Sequence, residues 1–166
     1  MVKIFRVRLY PYLRQHFVSK VIITVLQHSI MEQAKFSFKT FRIIDAELHF
    51  AKVTGNLNLQ FYPEGLFDAD THQYHMHLSF RAINDNPNEE VVVQLESVAL
   101  FQMEESVKSV DDIPNYFYAN SIAIVYPYLR AFVSTLTLQS NAKPMVLPTM
   151  NLSSLEGDLR KNTRTK

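Results

Sequence analysis

The sequence of 166 residues contains no cysteine and only three glycines. Without cysteine, the chain cannot form disulfides, thiolate metal sites or a cysteine nucleophile. Gly55, Gly65 and Gly157 are isolated from one another, whereas phosphate-binding loops need clustered glycines so that backbone amides can approach the anion. No serine lies in a Gly-x-Ser-x-Gly elbow. These absences argue against nucleotide chemistry and against the common nucleophilic hydrolases.

Long apolar runs are also missing from the sequence. One of the longest, from Val21 to Leu26, is short and includes Thr24. A bilayer-spanning helix needs about 20 consecutive apolar residues, so we predict no stable membrane insertion. With 47% apolar residues, the chain can nevertheless bury one continuous core, and its length fits one ordinary domain. The lack of cysteine fits a reducing, cytoplasmic setting.

Charge is distributed unevenly along the chain, although the formal net charge is only +1. Residues 1–31 carry five basic and no acidic side chains, giving +5, and residues 32–159 carry 8 basic and 16 acidic ones, giving −8. Residues 160–166 carry four basic side chains, giving +4. An acidic body argues against nucleic acid as a partner, because phosphate binding needs a basic face. A basic or apolar partner is expected instead.

The basic segment 1–30 is compatible with three interpretations. A secretory signal would need small residues at a cleavage site, and Gln27-His28-Ser29-Ile30 contains only one. A surface-lying amphipathic helix fits the charge, but Pro11 would interrupt it. The third interpretation, which we favour, is that translation starts at Met31. We therefore treat residues 1–30 as a basic leader, untranslated or disordered, and residues 31–166 as a single domain.

Four segments alternate apolar and polar residues, which is typical of half-buried strands in an antiparallel sheet. These segments are 36–50, 57–61, 74–82 and 91–103. We predict that the second strand ends at a turn formed by Tyr62-Pro63-Glu64-Gly65, because proline and glycine favour turns. The polar segment 84–89 predicts a hairpin between the third and fourth strands.

The periodicity changes after the acidic loop 104–112. From Pro114 to Ser140, apolar residues recur every three or four positions, which predicts a long helix that is bent or divided at Pro127. An extended link around Pro148 follows. Ser153 and Glu156 have the spacing of a capping box, which predicts a last helix through about Lys161. The predicted fold class is α+β, with a four-stranded antiparallel sheet followed by two helices packed on it.

Three histidines, His72, His75 and His77, are the feature that most resembles a metal site. Residues two apart on a strand project from the same face, and imidazole pairs can bind zinc or copper. Ser79 and Arg81 continue that face, and the cation would oppose a metal ion. A solvated polar strand face is the preferred interpretation, with a metal-dependent enzyme as an alternative of another class. We predict no catalytic residue, metal or cofactor.

The most distinctive pattern consists of two segments, Tyr126-Pro127-Tyr128-Leu129-Arg130 and Leu147-Pro148-Thr149-Met150-Asn151-Leu152. This pattern resembles the C-terminal part of the SecB family of protein-export chaperones. In that family an aromatic-Pro-Tyr-x-Arg stretch on a long helix precedes a Pro-containing link and an Asn-aromatic or Asn-aliphatic pair. Segments 36–45 and 96–101 are similar to the family's first and fourth strands, so the resemblance covers most of residues 36–160.

The resemblance implies a chaperone without ATP or catalysis, assembled as a homotetramer through its long helices. Such a chaperone binds unfolded or secretory polypeptides, keeps them competent for export and hands them to the SecA motor. In the family, acidic side chains on the sheet attract SecA. Asp45 falls at one such position, whereas His49 and Gln94 stand where glutamate is expected. The alternative is a SecB-like module dedicated to one partner, such as an antitoxin-type client.

The resemblance also suggests where clients and neighbouring subunits would bind. The link 51–56 is shorter than in the family and lacks the aromatic residues that help to line the client groove there. We therefore expect the groove to be lined by other apolar residues, with ordinary core and turn packing as the alternative: Phe61, Tyr62, Leu66, Phe67, Leu152 and Leu155. The expected contacts between subunits come from the long helix: Tyr126, Tyr128, Leu129 and Phe132.

Overall fold

The structure is a computed structural model that describes residues 35–49, 56–85, 90–141 and 144–166. The predictions for the leader 1–30 and for residues 51–55 of the first link lie outside these ranges. The described residues form, in chain order, β1 (Phe36–Leu48), β2 (Leu57–Asp68), β3 (Gln73–Asn84), β4 (Val91–Met103), a 3-10 turn (Val110–Asp112), α1 (Asn115–Gln139), α2 (Ser154–Lys161) and β5 (Thr163–Thr165).

The strands form one mixed sheet in the order β1-β4-β3-β2-β5. The first four strands pair antiparallel, as predicted, while β5 runs parallel to β2 and pairs with Gly65–Phe67. The predicted α+β class and the strands-before-helices order are therefore confirmed. The prediction of a four-stranded, purely antiparallel sheet is wrong, because the chain returns after α2 to add a fifth strand.

The predicted turn at Tyr62–Gly65 is also wrong, because β2 continues through it in unbroken register with β3. The sheet tolerates Pro63 because its nitrogen points away from β3. The amide of Gly65, two residues on, donates outward to the carbonyl of Asn162 at 3.2 Å, and the Asn162 side chain donates to the carbonyl of Pro63 at 3.3 Å. A strand proline costs no ladder hydrogen bond when its nitrogen faces the edge.

Gly65 is required by a close approach beneath β2. The Tyr74 hydroxyl passes under this glycine and hydrogen-bonds the Thr163 hydroxyl at 2.8 Å. A Cβ atom on residue 65 would lie 1.9 Å from that Tyr74 oxygen and 2.5 Å from Thr163 Oγ1. The glycine thus lets a buried tyrosine of β3 connect to β5 across β2.

The core lies between the sheet and α1. Phe117 stands at its centre, with its ring edge-on to Phe36, Tyr74 and Phe101 at centroid distances of 4.9, 4.7 and 5.3 Å. Aromatic pairs in this geometry add to the stabilisation from area burial. Pro127 lies inside α1, which is one continuous helix from Asn115 to Gln139. Of the two predicted alternatives, a bend or a division at Pro127, the division is therefore wrong.

The last helix begins where expected but not for the predicted reason. Ser153 has a helical backbone conformation and makes no side-chain cap, so the capping-box prediction is wrong. The Ser153 amide instead donates to Asn151 Oδ1 at 3.1 Å, and Glu156 pairs with Arg160 at 3.2 Å. Arg160 also donates to Asn115 Oδ1 at 2.9 Å. The hydrogen bond between Arg160 and Asn115 connects α2 to the beginning of α1.

Candidate functional site

The helix α1 has one face packed on the sheet and one face in solvent, and Arg130 is its only charged residue. Large apolar side chains on the solvent side include Tyr116, Tyr128 and Leu138, which are 47%, 48% and 56% exposed. Between them lie small or neutral residues, among which Ala123 and Ala131 are exposed. We call this surface the exposed face of α1. A soluble helix normally carries charges on its solvent side, so this exposed face, which is nearly free of charge, is chemically suited to contact with another apolar surface.

The length and composition of α1 alone would also allow it to cross a membrane. Core helices of water-soluble proteins pass the same test, and nine residues of α1 are buried on the sheet side. The helix therefore behaves as a core helix with an uncovered second face.

The four residues that we expected at a subunit contact differ in how far they are exposed to solvent. Leu129 is fully buried, and Tyr126 is 8% exposed, so both pack inside this chain. The Tyr126 hydroxyl donates to the carbonyl of Pro148, and its ring lies 6.1 Å from that of Phe61. Phe132 is half-buried. Tyr128 is thus the member of the set with most surface left for a partner.

Tyr128 lies against two phenylalanines of β1 and extends the exposed face of α1 onto the sheet. Its ring centroid is 5.4 Å from that of Phe38 and 5.7 Å from that of Phe41. Both phenylalanines are half-buried. This aromatic cluster of three rings offers a rigid apolar surface at little further cost in conformational entropy.

A groove of about 430 Å³ runs between α1 and the link 144–150, and we call it the link groove. Three hydrogen bonds fix the link to the helix: Met145 N to Thr137 Oγ1 at 2.8 Å, Ser134 Oγ to Met145 O at 3.0 Å, and Tyr126 Oη to Pro148 O. Leu147 is buried beneath it. The groove is lined by Tyr126, Pro127, Arg130, Ala131, Ser134, Thr149 and Met150.

The chemistry of the link groove is mainly apolar, with one cation at its side. Arg130 is half-buried there and forms no ion pair within the described part of the chain. An apolar side chain could bind in such a groove, with an acidic or carbonyl group of the same ligand near the guanidinium group. Three residues of the aromatic-Pro-Tyr-x-Arg motif line this groove, namely Tyr126, Pro127 and Arg130.

The six residues expected to line a client groove do not form one surface. Alternation along β2 sends Phe61 to the helix side and Tyr62 and Leu66 to the opposite side. Leu152 and Leu155 are half-buried against the core. Phe67 has no exposed surface and packs in the core, so this chain leaves it no area for a client. Phe61 adjoins the link groove through its contact with Tyr126.

The outer face of the sheet carries the acidic position suggested by the resemblance. Asp45 is exposed and lies opposite Glu96 in the β1–β4 register, with Glu47 opposite Gln94. Ser79 donates a short hydrogen bond to Glu96. His49 is exposed and lies 3.8 Å from Glu47. Glu47 and Glu96 thus add two carboxylates to this part of the face, where His49 and Gln94 stand in place of the expected glutamates and Arg81 lies opposite Gln94.

The histidines do not come together as a ligand set. His75 and His77 share the outer face of β3, whereas His72 lies in the β2–β3 turn, where its Nδ1 is 2.9 Å from the carbonyl of Val107. Burial, together with the nearby His77, lowers the pKa of His75. Within the described ranges, no three histidine, aspartate or glutamate side chains lie close enough to hold a metal ion. No observation on this face favours the enzyme alternative.

A buried charge anchors the C-terminal strand. Asp68 is 7% exposed and accepts hydrogen bonds from the amides of Asp70 and Thr71, at 3.1 and 3.2 Å. Its other oxygen lies 2.7 Å from the Lys166 ammonium group. That hydrogen bond, followed by the bond from Thr71, holds the pKa of Asp68 below its ordinary value. Lys166 closes β5 onto β2 through its own amide as well, which donates to Phe67 O at 2.9 Å.

No model of a known protein family matches the sequence. An uncharacterized protein of Methanocaldococcus jannaschii is 30% identical over 69 residues, which are 42% of this chain and 43% of that protein. The match therefore spans less than half of the relative's length.

Two solved structures are similar to this one. A SecB-like chaperone of Mycobacterium tuberculosis, solved in complex with a ChAD peptide from an antitoxin, has a TM-score of 0.57 at 22% sequence identity, covering 71% of this chain and 92% of that chain. A Streptococcus agalactiae protein of unknown function has a TM-score of 0.45 at 7% identity, covering 71% and 100% of the two chains. The second value is too low to establish a shared fold. The first likeness shows that the chain has a SecB-like fold.

Proposed function

We propose that the protein is a chaperone that binds unfolded polypeptide segments and holds them without nucleotide or catalysis. The main support is the SecB-like fold, because the similar structure from Mycobacterium tuberculosis is a chaperone with a peptide bound. The link groove and the aromatic cluster add support, since both offer apolar surface to an incoming chain. A cytoplasmic setting fits this activity.

The expected driving force is the burial of client side chains in the link groove. An aromatic side chain buries about 150–250 Å². At about 25 cal/mol per Å², this burial contributes about 4–6 kcal/mol. The ordering of a disordered client opposes binding, so each segment should bind with moderate affinity and little sequence selectivity.

An aggregation assay without nucleotide tests this proposal. An unfolded test protein should stay soluble when the chaperone is added at up to equal amounts. Met150→Glu, which places a charge in the link groove, should weaken the suppression, and Ser37→Glu at an exposed position of β1 is the matched control. A lack of suppression at every ratio would contradict the proposed function.

A second candidate keeps the fold and narrows the client to one dedicated partner. It is favoured because the peptide in the similar chaperone structure comes from an antitoxin. Affinities for a panel of unfolded proteins and antitoxin tails would separate the two candidates. A single tail that binds at least about tenfold more tightly than the rest of the panel would favour the dedicated role.

Delivery to SecA is a separate part of the proposal and is supported by the acidic outer face of the sheet. Purified SecA should bind the wild-type protein, and Asp45→Asn combined with Glu96→Gln should weaken that binding at low salt. Equal retention of SecA by the wild type and the double variant would exclude this face as the docking surface. A lack of binding to the wild type would favour the dedicated role.

A further inference from the structure

The outer face of the sheet carries an arginine that has no carboxylate partner in the described part of the chain. Arg81 of β3 lies opposite Gln60 of β2 on one side and opposite Gln94 of β4 on the other. It forms no ion pair with any described residue. Its Nε atom is buried without a hydrogen-bond partner, and within the described ranges no other buried side-chain nitrogen or oxygen lacks one. Buried donors in native structures nearly always have a partner, so Arg81 needs a physical explanation.

An aromatic ring holds the guanidinium group of Arg81 in position. The central guanidinium carbon lies 5.9 Å from the centroid of the Tyr62 ring on the neighbouring strand, which is within the range of a cation–π contact. The Tyr62 hydroxyl donates to Gln60 Oε1 at 2.7 Å. An arginine next to an aromatic ring has less conformational freedom to lose when it binds a ligand. The guanidinium group is therefore arranged for binding before a ligand arrives.

The two glutamines beside Arg81 add further hydrogen-bond donors. Gln60 accepts the Tyr62 hydroxyl through its oxygen, so its NH₂ group remains available to donate. Gln94 is half-buried on the other side of Arg81 and carries a second amide. A guanidinium group binds a carboxylate through two parallel N–H···O bonds. We call Arg81, Tyr62, Gln60 and Gln94 the Arg81 site, and its donors are those that a carboxylate accepts.

The carboxylates on the neighbouring strands have other partners. Glu96 accepts the short hydrogen bond from Ser79, and Glu47 lies 3.8 Å from His49. Glu47 is also separated from Arg81 by the strand β4, a distance of two strand spacings or about 10 Å. The positive charge of Arg81 thus remains available to a carboxylate from another molecule.

We propose that the Arg81 site binds an aspartate or glutamate side chain of a partner protein. The site lies on the face of the sheet opposite α1 and the link groove, so the inference goes beyond client binding in that groove. The Tyr62 ring is 49% exposed and would contact an apolar residue next to the bound carboxylate. Arginine and tyrosine are enriched among the residues that dominate binding energy at protein interfaces.

The charges around the site favour a protein partner over nucleic acid. Nucleic-acid binding needs several cations along one surface, because each phosphate contact uses one of them. The direct cross-strand neighbours of Arg81 are uncharged, and Glu96 and Glu47 lie on β4 and β1 of the same face. A row of phosphates would meet these carboxylates, whereas a single acidic side chain can approach Arg81 alone. The ligand is therefore one carboxylate beside an apolar residue.

Two capped seven-residue peptides test the proposal on the full chain. Both have leucines on either side of the central residue in a background of glycine and serine, and the central residue is glutamate in one and glutamine in the other. Wild type should bind the glutamate peptide about fivefold more tightly, since hydrogen bonds between charged groups are stronger than neutral ones but are partly screened at a half-buried site. Equal affinities would overturn the proposal, and the proposed function would stand if aggregation were still suppressed.

Variants of two arginines on the same face separate a specific site from a general effect of charge. Arg81→Gln should abolish the preference for the glutamate peptide, and Arg81→Lys should keep only part of it, because an ammonium group lacks the planar fork. Arg42→Gln is the matched control, since it removes an exposed arginine of β1 on the outer face. It should keep the preference. An equal loss in Arg81→Gln and Arg42→Gln would refute the Arg81 site.

The buried Nε–H group of Arg81 provides a measurement on the wild-type protein, which decides if Arg81→Gln fails to fold. Because this proton is shielded from water, its exchange is slow and its NMR signal can be followed. The signal should shift when the glutamate peptide is added and stay in place with the glutamine peptide. A shift that grows with protein concentration alone would assign the site to a second copy, and an equal shift with inorganic phosphate would show unselective anion binding. Either result would overturn the proposal.

Discussion

Replacing Gly65 with alanine should strongly destabilise the protein, because the new methyl group would occupy the path of Tyr74. Its Cβ would lie 1.9 Å from Tyr74 Oη and 2.5 Å from Thr163 Oγ1. Overpacking a core in this way costs about 1–3 kcal/mol. Displacing the hydroxyl also breaks a buried hydrogen bond, which costs about 1–3 kcal/mol if the partner stays unsatisfied. We therefore expect a loss of about 2–6 kcal/mol from the free energy of unfolding.

Urea unfolding of Gly65→Ala beside Gly157→Ala measures this effect with a matched control. No atom lies within 4 Å of the Cβ position at Gly157, which is an exposed helical residue. Gly157→Ala should therefore stabilise the protein by about 0.5–1 kcal/mol. Adding Tyr74→Phe should restore Gly65→Ala only in part, because the ring carbon that bears the hydroxyl would still be 2.6 Å away. A Gly65→Ala variant as stable as the wild type would refute the close-approach argument.

Three further predictions concern the C-terminal strand, the helix proline and the exposed face of α1. The pKa of Asp68 is lowered in the folded state, so the ionised carboxylate stabilises the protein above the unfolded pKa of about 4, and this stabilisation is lost as pH falls through the folded pKa. In Asp68→Asn, the free energy of unfolding measured with urea should therefore fall less steeply between neutral and acid pH than in the wild type. Pro127→Ala should raise the free energy of unfolding by up to about 3 kcal/mol, because a helix-interior proline lacks one backbone bond; an unchanged urea midpoint would contradict this. If copies associate through the exposed face of α1, wild type should be oligomeric by light scattering, and Tyr128→Glu should lower the mass while Ser37→Glu does not; a monomeric wild type, or an assembly unchanged in the variant, would exclude that face.

Much of the sheet could be predicted, because a strand that is buried on one side alternates apolar and polar residues. In β4 the odd positions from Val93 to Met103 are buried and the even positions are half-exposed. In β2 the same alternation was interrupted by Pro63 and Gly65, which favour turns when considered locally. Their actual conformations follow from tertiary contacts: an outward-facing nitrogen at Pro63 and the passage of a tyrosine under Gly65.

Strand β5 could not be predicted because its residues, Thr163–Thr165, show no apolar alternation. Its position depends on contacts with residues far away in sequence, namely Thr163 with Tyr74 and Lys166 with Asp68. A pattern confined to neighbouring residues does not contain such pairings. The capping-box prediction failed for a similar reason, because the Glu156 side chain pairs with Arg160 and forms no cap with Ser153.

The motif in α1 predicts a binding surface on this helix, and that stays a prediction, but the motif does not show which side chains remain exposed. Tyr126 and Leu129 are buried, whereas Tyr128 is half-exposed. Helical periodicity alone left this undecided, because α1 is apolar around most of its circumference. The orientation of the helix on the sheet selects the exposed side.

The order of the elements also bears on how the chain folds during its synthesis. Strands β1 to β4 precede α1, and β1 must pair with β4, so Phe36 meets Met103. Pairings so distant in sequence are slow to form. Because ribosomes release the N-terminal part first, all four strands emerge before the nearly uncharged helix does. The helix, which has a single charged residue, thus emerges only after all four strands of its packing surface have been released. A rearranged gene that encoded α1 ahead of the strands would expose it during that slow step and should yield mostly insoluble protein.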